Sequence, residues 1–319
     1  MITASAPGSV MVTGEHAVVY GHPALVAAID QRITVKATPL DQPILTIESE
    51  IADPLSVPLE AVQPEGPYRF IQAAAALYRD RLDHGLGLRI RSAIDPTLGL
   101  GSSAAVTVAA LGVFAHMAGD APSSVKQRLH GEALGIVRAI QGRGSGADLA
   151  ASLYGGMVAY QLPPTMLTGV PARSDAAMIT PVPPPPPLSL GYAGYKTPTG
   201  EVLAQIAQRM EGHEAAFDAL YARMGTMAAT AIEAAQIGDQ GKLMAALNGY
   251  QRLMVELGVS DDVLDGLVHT ALATDGVEAA KISGSGLGDC VLAVGAAGPE
   301  VPTGFNPAPL ATEGLQLHG

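Results

Sequence analysis

Asp95-Pro-Thr-Leu-Gly-Leu-Gly-Ser-Ser-Ala-Ala105 runs straight into an apolar, alanine-rich segment that ends at Gly119. Gly99 and Gly101 let the backbone turn sharply and come close to a ligand. Ser102 and Ser103 are expected to cap the helix that follows. The first turn of that helix presents unpaired N–H groups and the positive end of the helix dipole, which together suit a phosphate chain. A serine hydroxyl at this point can also help hold magnesium. An ordinary glycine turn with a serine cap carries the same letters. No Gly-Lys-Ser/Thr follows the glycines, and the spacing is not that of a dinucleotide fingerprint. Any phosphate cradle here is of another type.

Working outward, residues 9–12, 24–39, 42–51 and 86–92 read as strands, the second through its β-favouring run Arg32-Ile33-Thr34-Val35. Residues 67–82 and 123–141 have helical periodicity, and 148–153 a shorter helix stopped by Gly155-Gly156. Residues 157–161 return as a strand. Pro181 and the run 183–187 cannot continue a helix or a central strand and favour a stiff extended segment. A junction is expected there, dividing the chain into residues 1–185 and 186–319, although a simple connector within one domain reads the same. Helices are expected over 200–210, 214–235, 240–257 and 261–274, followed by a glycine loop and a strand over 290–295.

Three further segments carry polar or glycine-rich chemistry. Glu15 and His16 stand between apolar runs where a core strand would not put them, unless they form a solvated hairpin turn. Gly284, Gly286 and Gly288 alternate just before a strand, which implies a close backbone approach or a tight bulge. Asp148 follows the loop Gln141-Gly-Arg-Gly-Ser-Gly-Ala147. A carboxylate at a helix start could orient or deprotonate a substrate hydroxyl, and it could equally be a plain N-cap.

Composition narrows the partners. The formal net charge of −12 argues against sequence-independent binding to nucleic acid or anionic lipid, so a nucleotide would need local donors. One cysteine, Cys290, excludes a disulfide framework and a cysteine-based zinc site and fits a reducing cytoplasm. No apolar run is long enough to cross a bilayer, and residues 1–7 lack the basic residue of a signal peptide.

Taken together, Ala6-Pro-Gly8 with Gly14-Glu-His16, Gly99-Leu-Gly-Ser-Ser-Ala-Ala105 and Ser283-Gly-Ser-Gly-Leu-Gly288 resemble the three motifs of the GHMP kinases, in order and across nearly the whole chain. Within that family, residues 14–25 are most similar to the mevalonate kinase form of the first motif. Ser145-Gly-Ala-Asp148 resembles the segment that holds the catalytic aspartate. The resemblance implies an α+β, two-domain fold, with an N-terminal domain like ribosomal protein S5 domain 2 and a ferredoxin-like C-terminal domain. It implies ATP-dependent phosphorylation of a small-molecule hydroxyl, mevalonate foremost, with phosphomevalonate or a sugar as alternatives and a non-catalytic sensor as a remote one.

By the same resemblance, Gly99, Leu100, Gly101, Ser102, Ser103 and Ala104 would bind ATP. Ser103 would help hold Mg2+, and Asp148 would act on the hydroxyl. Glu15, His16, Ser145, Gly284 and Ser285 would lie on the substrate side, and a homodimer is plausible. The chain departs from the family's pattern at three places: Ser9 stands where mevalonate kinases have lysine, Leu149 where the family has asparagine, and Val137 where a metal-binding glutamate falls. Glu132 is the nearest carboxylate to replace the last. Arg143 and Lys196 are the candidate cations to replace the first.

Overall fold

The structure is a computed structural model that describes residues 1–95, 98–163, 176–295 and 301–319. Pro96 and Thr97 of the central loop therefore lie outside the described residues. In chain order the strands are β1 Ile2–Thr13, β2 Ala24–Leu40, β3 Ile44–Glu48, β4 Leu55–Pro58, β5 Gly85–Ser92, β6 Met157–Gln161, β7 Met178–Val182, β8 Leu188–Lys196, β9 Ala279–Ser283, β10 Gly288–Val294, β11 Phe305–Pro307 and β12 Gln316–His318. The α-helices are α1 Arg69–Tyr78, α2 Ser102–Met117, α3 Lys126–Gln141, α4 Ala147–Tyr154, α5 Thr199–Met210, α6 Glu214–Ile237, α7 Gln240–Leu257 and α8 Asp262–Leu272.

Two sheets organise the molecule. The first has the order β12-β1-β2-β5-β3-β4, with β6 on the start of β2 and β7 on β6. Its pairs are antiparallel except β3 with β5. The second has the order β11-β8-β10-β9 and is antiparallel throughout. Helix α2 explains why the central loop is held so firmly. Its residues are apolar on every side, and Ala104, Ala105, Val108, Leu111 and Phe114 are all buried. A helix with no polar face must be enclosed, and α2 packs on β1 and β2 between α1, α3 and α4. Its first turn is thereby fixed against the middle of the sheet.

Pairing of β1 with β2 shifts register between Pro7 and Gly8, and this irregularity receives the central loop. Ser9 N–H donates to Leu100 O at 3.1 Å. A Cβ at position 8 would fall 2.7 Å from that same oxygen, so only glycine allows the approach. The Ala-Pro-Gly motif is thus a seat for the loop some ninety residues away.

The prolines at 183–187 lie between β7 of the first sheet and β8 of the second. The second part of the chain is nevertheless not confined to the second sheet. Residues 316–318 pair with β1, Leu310 bridges Ile29, and Ala311 N–H donates to Ala28 O. Beyond the expected junction, the tail of residues 186–319 thus returns to complete the edge of the first sheet. Helix α6 also reaches back to pack on β2 and β7. The two halves share a boundary built from both.

Candidate active site

The glycine loops converge on one cleft of about 520 Å³, within the range of small-molecule sites. The first half contributes Ser9, Gly99, Gly101, Arg143, Ser145 and Asp148 to its walls. The second contributes Lys196, Gly284, Ser285 and Asp289, while Glu15 and His16 lie in the turn between them. A larger cavity of about 1020 Å³ lies by β4, the β3–β4 connection and the start of α1. Its lining includes Glu50, Asp53 and Glu65 and no Lys, Arg or His, so phosphate groups are not suited to it.

At the start of α2 the N-cap is Gly101 at φ 63°, and neither serine hydroxyl caps the helix. The expected serine cap is corrected: the left-handed turn that glycine permits ends the loop, and Ser102 and Ser103 become the first helical residues. A Cβ on Gly101 would lie 2.5 Å from Ser9 Oγ and 3.7 Å from Asp148 Cβ. The bare backbone here is a cradle with Ser9 on one side and Asp148 on the other. Leu100 and Ala104 are buried in the core, so only their backbone groups could serve a ligand. Ser102 is exposed and Ser103 half-buried in the same turn.

Asp148 sits in the first turn of α4, after an N-cap at Gly146, and is half-buried in the cleft wall. Its Oδ1 accepts from Leu149 N–H at 3.2 Å. Desolvation pushes its carboxyl above the usual range, because burial disfavours the charged form. A group that must be ionised to accept a proton then loses function on acidification earlier than an ordinary Asp would. The acid limb of the kcat/KM profile is expected above the range of a free aspartate, and a limb at or below that range contradicts this environment.

The turn holding Glu15 and His16 is not a solvated hairpin. Both residues are buried, and each side chain is tied to the second half of the chain. Glu15 Oε1 accepts from Lys281 Nζ at 2.5 Å, with both side chains nearly inaccessible. Lys281 also donates to Ile282 O, and Tyr250 donates its hydroxyl to Glu15 O at 2.6 Å. His16 Nε2 donates to Ser285 O at 3.0 Å. The His16 backbone holds φ 59°, a conformation that costs a non-glycine residue about 1–3 kcal/mol and persists only where the surroundings impose it. Burial raises the Glu15 carboxyl and lowers the Lys281 ammonium, each opposed by the other's charge. Glu15 Oε2 has no hydrogen-bond partner among the described residues.

Lys196, at the end of β8, pairs with Asp289 Oδ1 at 2.9 Å. A Cβ on Gly99 would lie 2.8 Å from that oxygen and 3.2 Å from Lys196 Nζ. A cation of the second sheet thus stands over the glycine loop of the first. Arg143 is an exposed residue of the cleft wall. Glu132 is elsewhere: it accepts from Tyr78 at 2.7 Å and from Arg128 at 2.6 Å. Its carboxylate is engaged at the α1–α3 interface and is not among the residues that line the cleft. No group of three or more potential metal-ligating His, Cys, Asp or Glu occurs among the described residues.

Two residues that matter were given no role from sequence: Lys281 and Asp289. A lysine within Ala279-Ala-Lys-Ile-Ser283, a strand otherwise apolar but for its last residue, is itself a signal. A cation there must find a buried carboxylate.

The sequence matches the family models described as GHMP kinases N terminal domain, over residues 69–156, and GHMP kinases C terminal, over residues 228–301. It is 30% identical to the mevalonate kinase of Thermococcus onnurineus over 321 residues, covering 92% of this chain and 89% of that one. Among solved structures, the Lin0012 protein of Listeria innocua superposes with a TM-score of 0.87 at 24% identity, covering 99% of each chain. The Streptococcus pneumoniae phosphomevalonate kinase in complex with phosphomevalonate and AMPPNP superposes at 0.75 and 21% identity, covering 93% of each. With both sheets, the cleft and these matches in hand, the chain belongs to the GHMP kinase family. Kinases of this family use ATP, and the fold and matched relatives support kinase activity here.

Proposed function

We propose that this chain transfers the γ-phosphoryl group of ATP to the primary hydroxyl of mevalonate, giving 5-phosphomevalonate. The observation that carries the reading is the placement of Asp148 against the N-terminal turn of α2, within one cleft. The identity to mevalonate kinases over nearly the full length of both chains favours this acceptor over others.

Phosphoryl transfer depends mainly on positioning and charge stabilisation, and the cleft provides both. Backbone N–H groups of residues 99–104 and the dipole of α2 would take the phosphates. Asp148 would accept the hydroxyl proton as the new O–P bond forms and the bond to the ADP oxygen breaks. Glu15, through Oε2, and His16 would contact the acceptor, with Ser145, Gly284 and Ser285 shaping its walls. Mg2+ would need few protein ligands here, since phosphates commonly supply the rest. Ser103 would hold it, and when bound it would neutralise charge on the phosphate oxygens.

With Ser9 in place of lysine, Lys196 would supply the cation for charge developing on the transferred group, and Arg143 is the second candidate. Lys196→Ala is expected to lower kcat by about 10²–10³, the usual loss on removing a stabilising donor. Turnover within a few-fold of the parent in a coupled ADP-release assay removes Lys196 from the mechanism.

A second reading, phosphorylation of phosphomevalonate, is favoured by the stretch Ala139-Ile-Gln-Gly-Arg-Gly-Ser-Gly-Ala-Asp148, which resembles that of phosphomevalonate kinases. ATP turnover compared across mevalonate, phosphomevalonate, homoserine and galactose separates the readings. Mevalonate is expected to give the highest kcat/KM, and a clear preference for another acceptor overturns the assignment.

A further inference from the structure

Three successive peptide carbonyls lead into Asp148, and a different side chain holds each of them. Gly144 O accepts from Arg138 Nε at 3.0 Å, Ser145 O from the Tyr160 hydroxyl at 2.5 Å, and Gly146 O from His130 Nε2 at 2.9 Å. Arg138 and His130 belong to α3 and Tyr160 to β6, so two separate elements grip one short loop. His130 and Tyr160 are each only 1% exposed, with ring centroids 5.5 Å apart. A Cβ on Gly146 would fall 2.9 Å from the Tyr160 oxygen and 3.1 Å from His130 Nε2. The backbone is pressed onto the pair with no room for a side chain.

A carbonyl only accepts, so His130 Nε2 carries the proton. Burial lowers the ring's pKa to about 4, leaving it neutral and its tautomer fixed by this bond near neutral pH. Two buried polar rings are an expensive way to fill space, since each must be desolvated, and apolar side chains of similar size would fill it without that cost. What the polar atoms add is direction: they fix the three peptide planes from which Asp148 departs.

We propose that Tyr160 and His130, with Arg138, are positioning residues that hold the 144–146 backbone and thereby aim the Asp148 carboxylate at the acceptor hydroxyl. The proposal rests on the reading of Asp148 given above. A misplacement of about 1 Å at a reacting group can cost about 10²-fold in rate, so a loosened loop registers in turnover.

The test measures kcat and KM with ATP, Mg2+ and mevalonate for Tyr160→Phe, His130→Leu and His130→Gln, in the parent and in Asp148→Asn. Tyr160→Phe and His130→Leu are expected to lower kcat about 10–100-fold, with KM for ATP within about two-fold of the parent. His130→Gln, whose amide can donate to the same carbonyl, restores most of the loss. On the Asp148→Asn background, Tyr160→Phe adds less than about two-fold, because groups acting through one carboxylate are not additive. Tyr160→Phe deletes a single oxygen, so its result stands even where His130→Leu fails to fold. An inactive Asp148→Asn beside a near-parental Tyr160→Phe overturns the positioning role alone. Losses that multiply undiminished on the Asp148→Asn background overturn it too. Parental turnover by Asp148→Asn is the separate outcome that removes the reading of Asp148, and the positioning role with it.

Discussion

Asp148→Asn is expected to lower kcat by about 10²–10⁴, the usual contribution of a positioned general base, while KM for ATP changes little. Asparagine keeps the size of the side chain and its first-turn position in α4, but it cannot take a proton. The substitution is also mild for the fold, since no ion pair to Asp148 occurs among the described residues and its Oδ1 accepts only a local N–H from Leu149. Loss of turnover with an unchanged denaturation midpoint therefore reports chemistry rather than unfolding. The acid limb attributed to this carboxyl should disappear from the residual activity. Steady-state kinetics in a coupled ADP assay decide the matter, and a variant within about three-fold of the parent excludes Asp148 as the base.

The second large effect concerns stability. Lys281→Met is expected to lower the free energy of unfolding by about 3–5 kcal/mol, the range for stripping one partner from a buried ion pair. Total stabilities of domains are about 5–15 kcal/mol, so this is a substantial fraction. Lys281 is fully buried, and its ammonium is the group that compensates the Glu15 carboxylate. The methionine fills most of the stem's volume, so the loss reports charge rather than a cavity. The double variant Glu15→Gln/Lys281→Met should regain much of the loss, because it leaves no uncompensated charge. Urea denaturation measures both. A single variant within about 1 kcal/mol of the parent would mean that the pair is not held as described. The pair also matters for function, since Glu15 and His16 lie in one turn that Tyr250, Lys281 and Ser285 fasten to the second half.

Much of this was legible in the sequence where local chemistry and tertiary position agree. Helix α2 was evident because its apolar run and glycine start are local signals, and α4 because Gly155-Gly156 ends it. Asp148 could be singled out only through the resemblance of Ser145-Gly-Ala-Asp148 to the segment that holds the family's catalytic aspartate, since a carboxylate at a helix start is by itself a common cap. The short strands β4, β11 and β12 are not legible in the sequence, since three or four residues carry no periodicity and are defined by their partners. Strand β9 escaped because its lysine reads as a solvent-facing residue until Glu15 is seen opposite. The serine cap gives way for a related reason: serine is a good cap in general, but a side chain at position 101 would collide with Ser9 Oγ, so glycine takes the cap. Glu132 is the carboxylate nearest Val137 in sequence, whereas the helix turns it toward Tyr78 and Arg128. Ser9 remains the departure that no local pattern compensates; Lys196 reaches the glycine loop only because β8 and β10 place it there.

Phosphorus-31 NMR of the chain with ATP, Mg2+ and mevalonate tests most directly whether this cleft moves a phosphoryl group onto a hydroxyl. The γ-phosphate signal of ATP is expected to decay as ADP and a phosphomonoester coupled to methylene protons grow in equal amounts. Unchanged ATP, or ADP accompanied only by inorganic phosphate, with mevalonate and with every other acceptor of the panel, would contradict it.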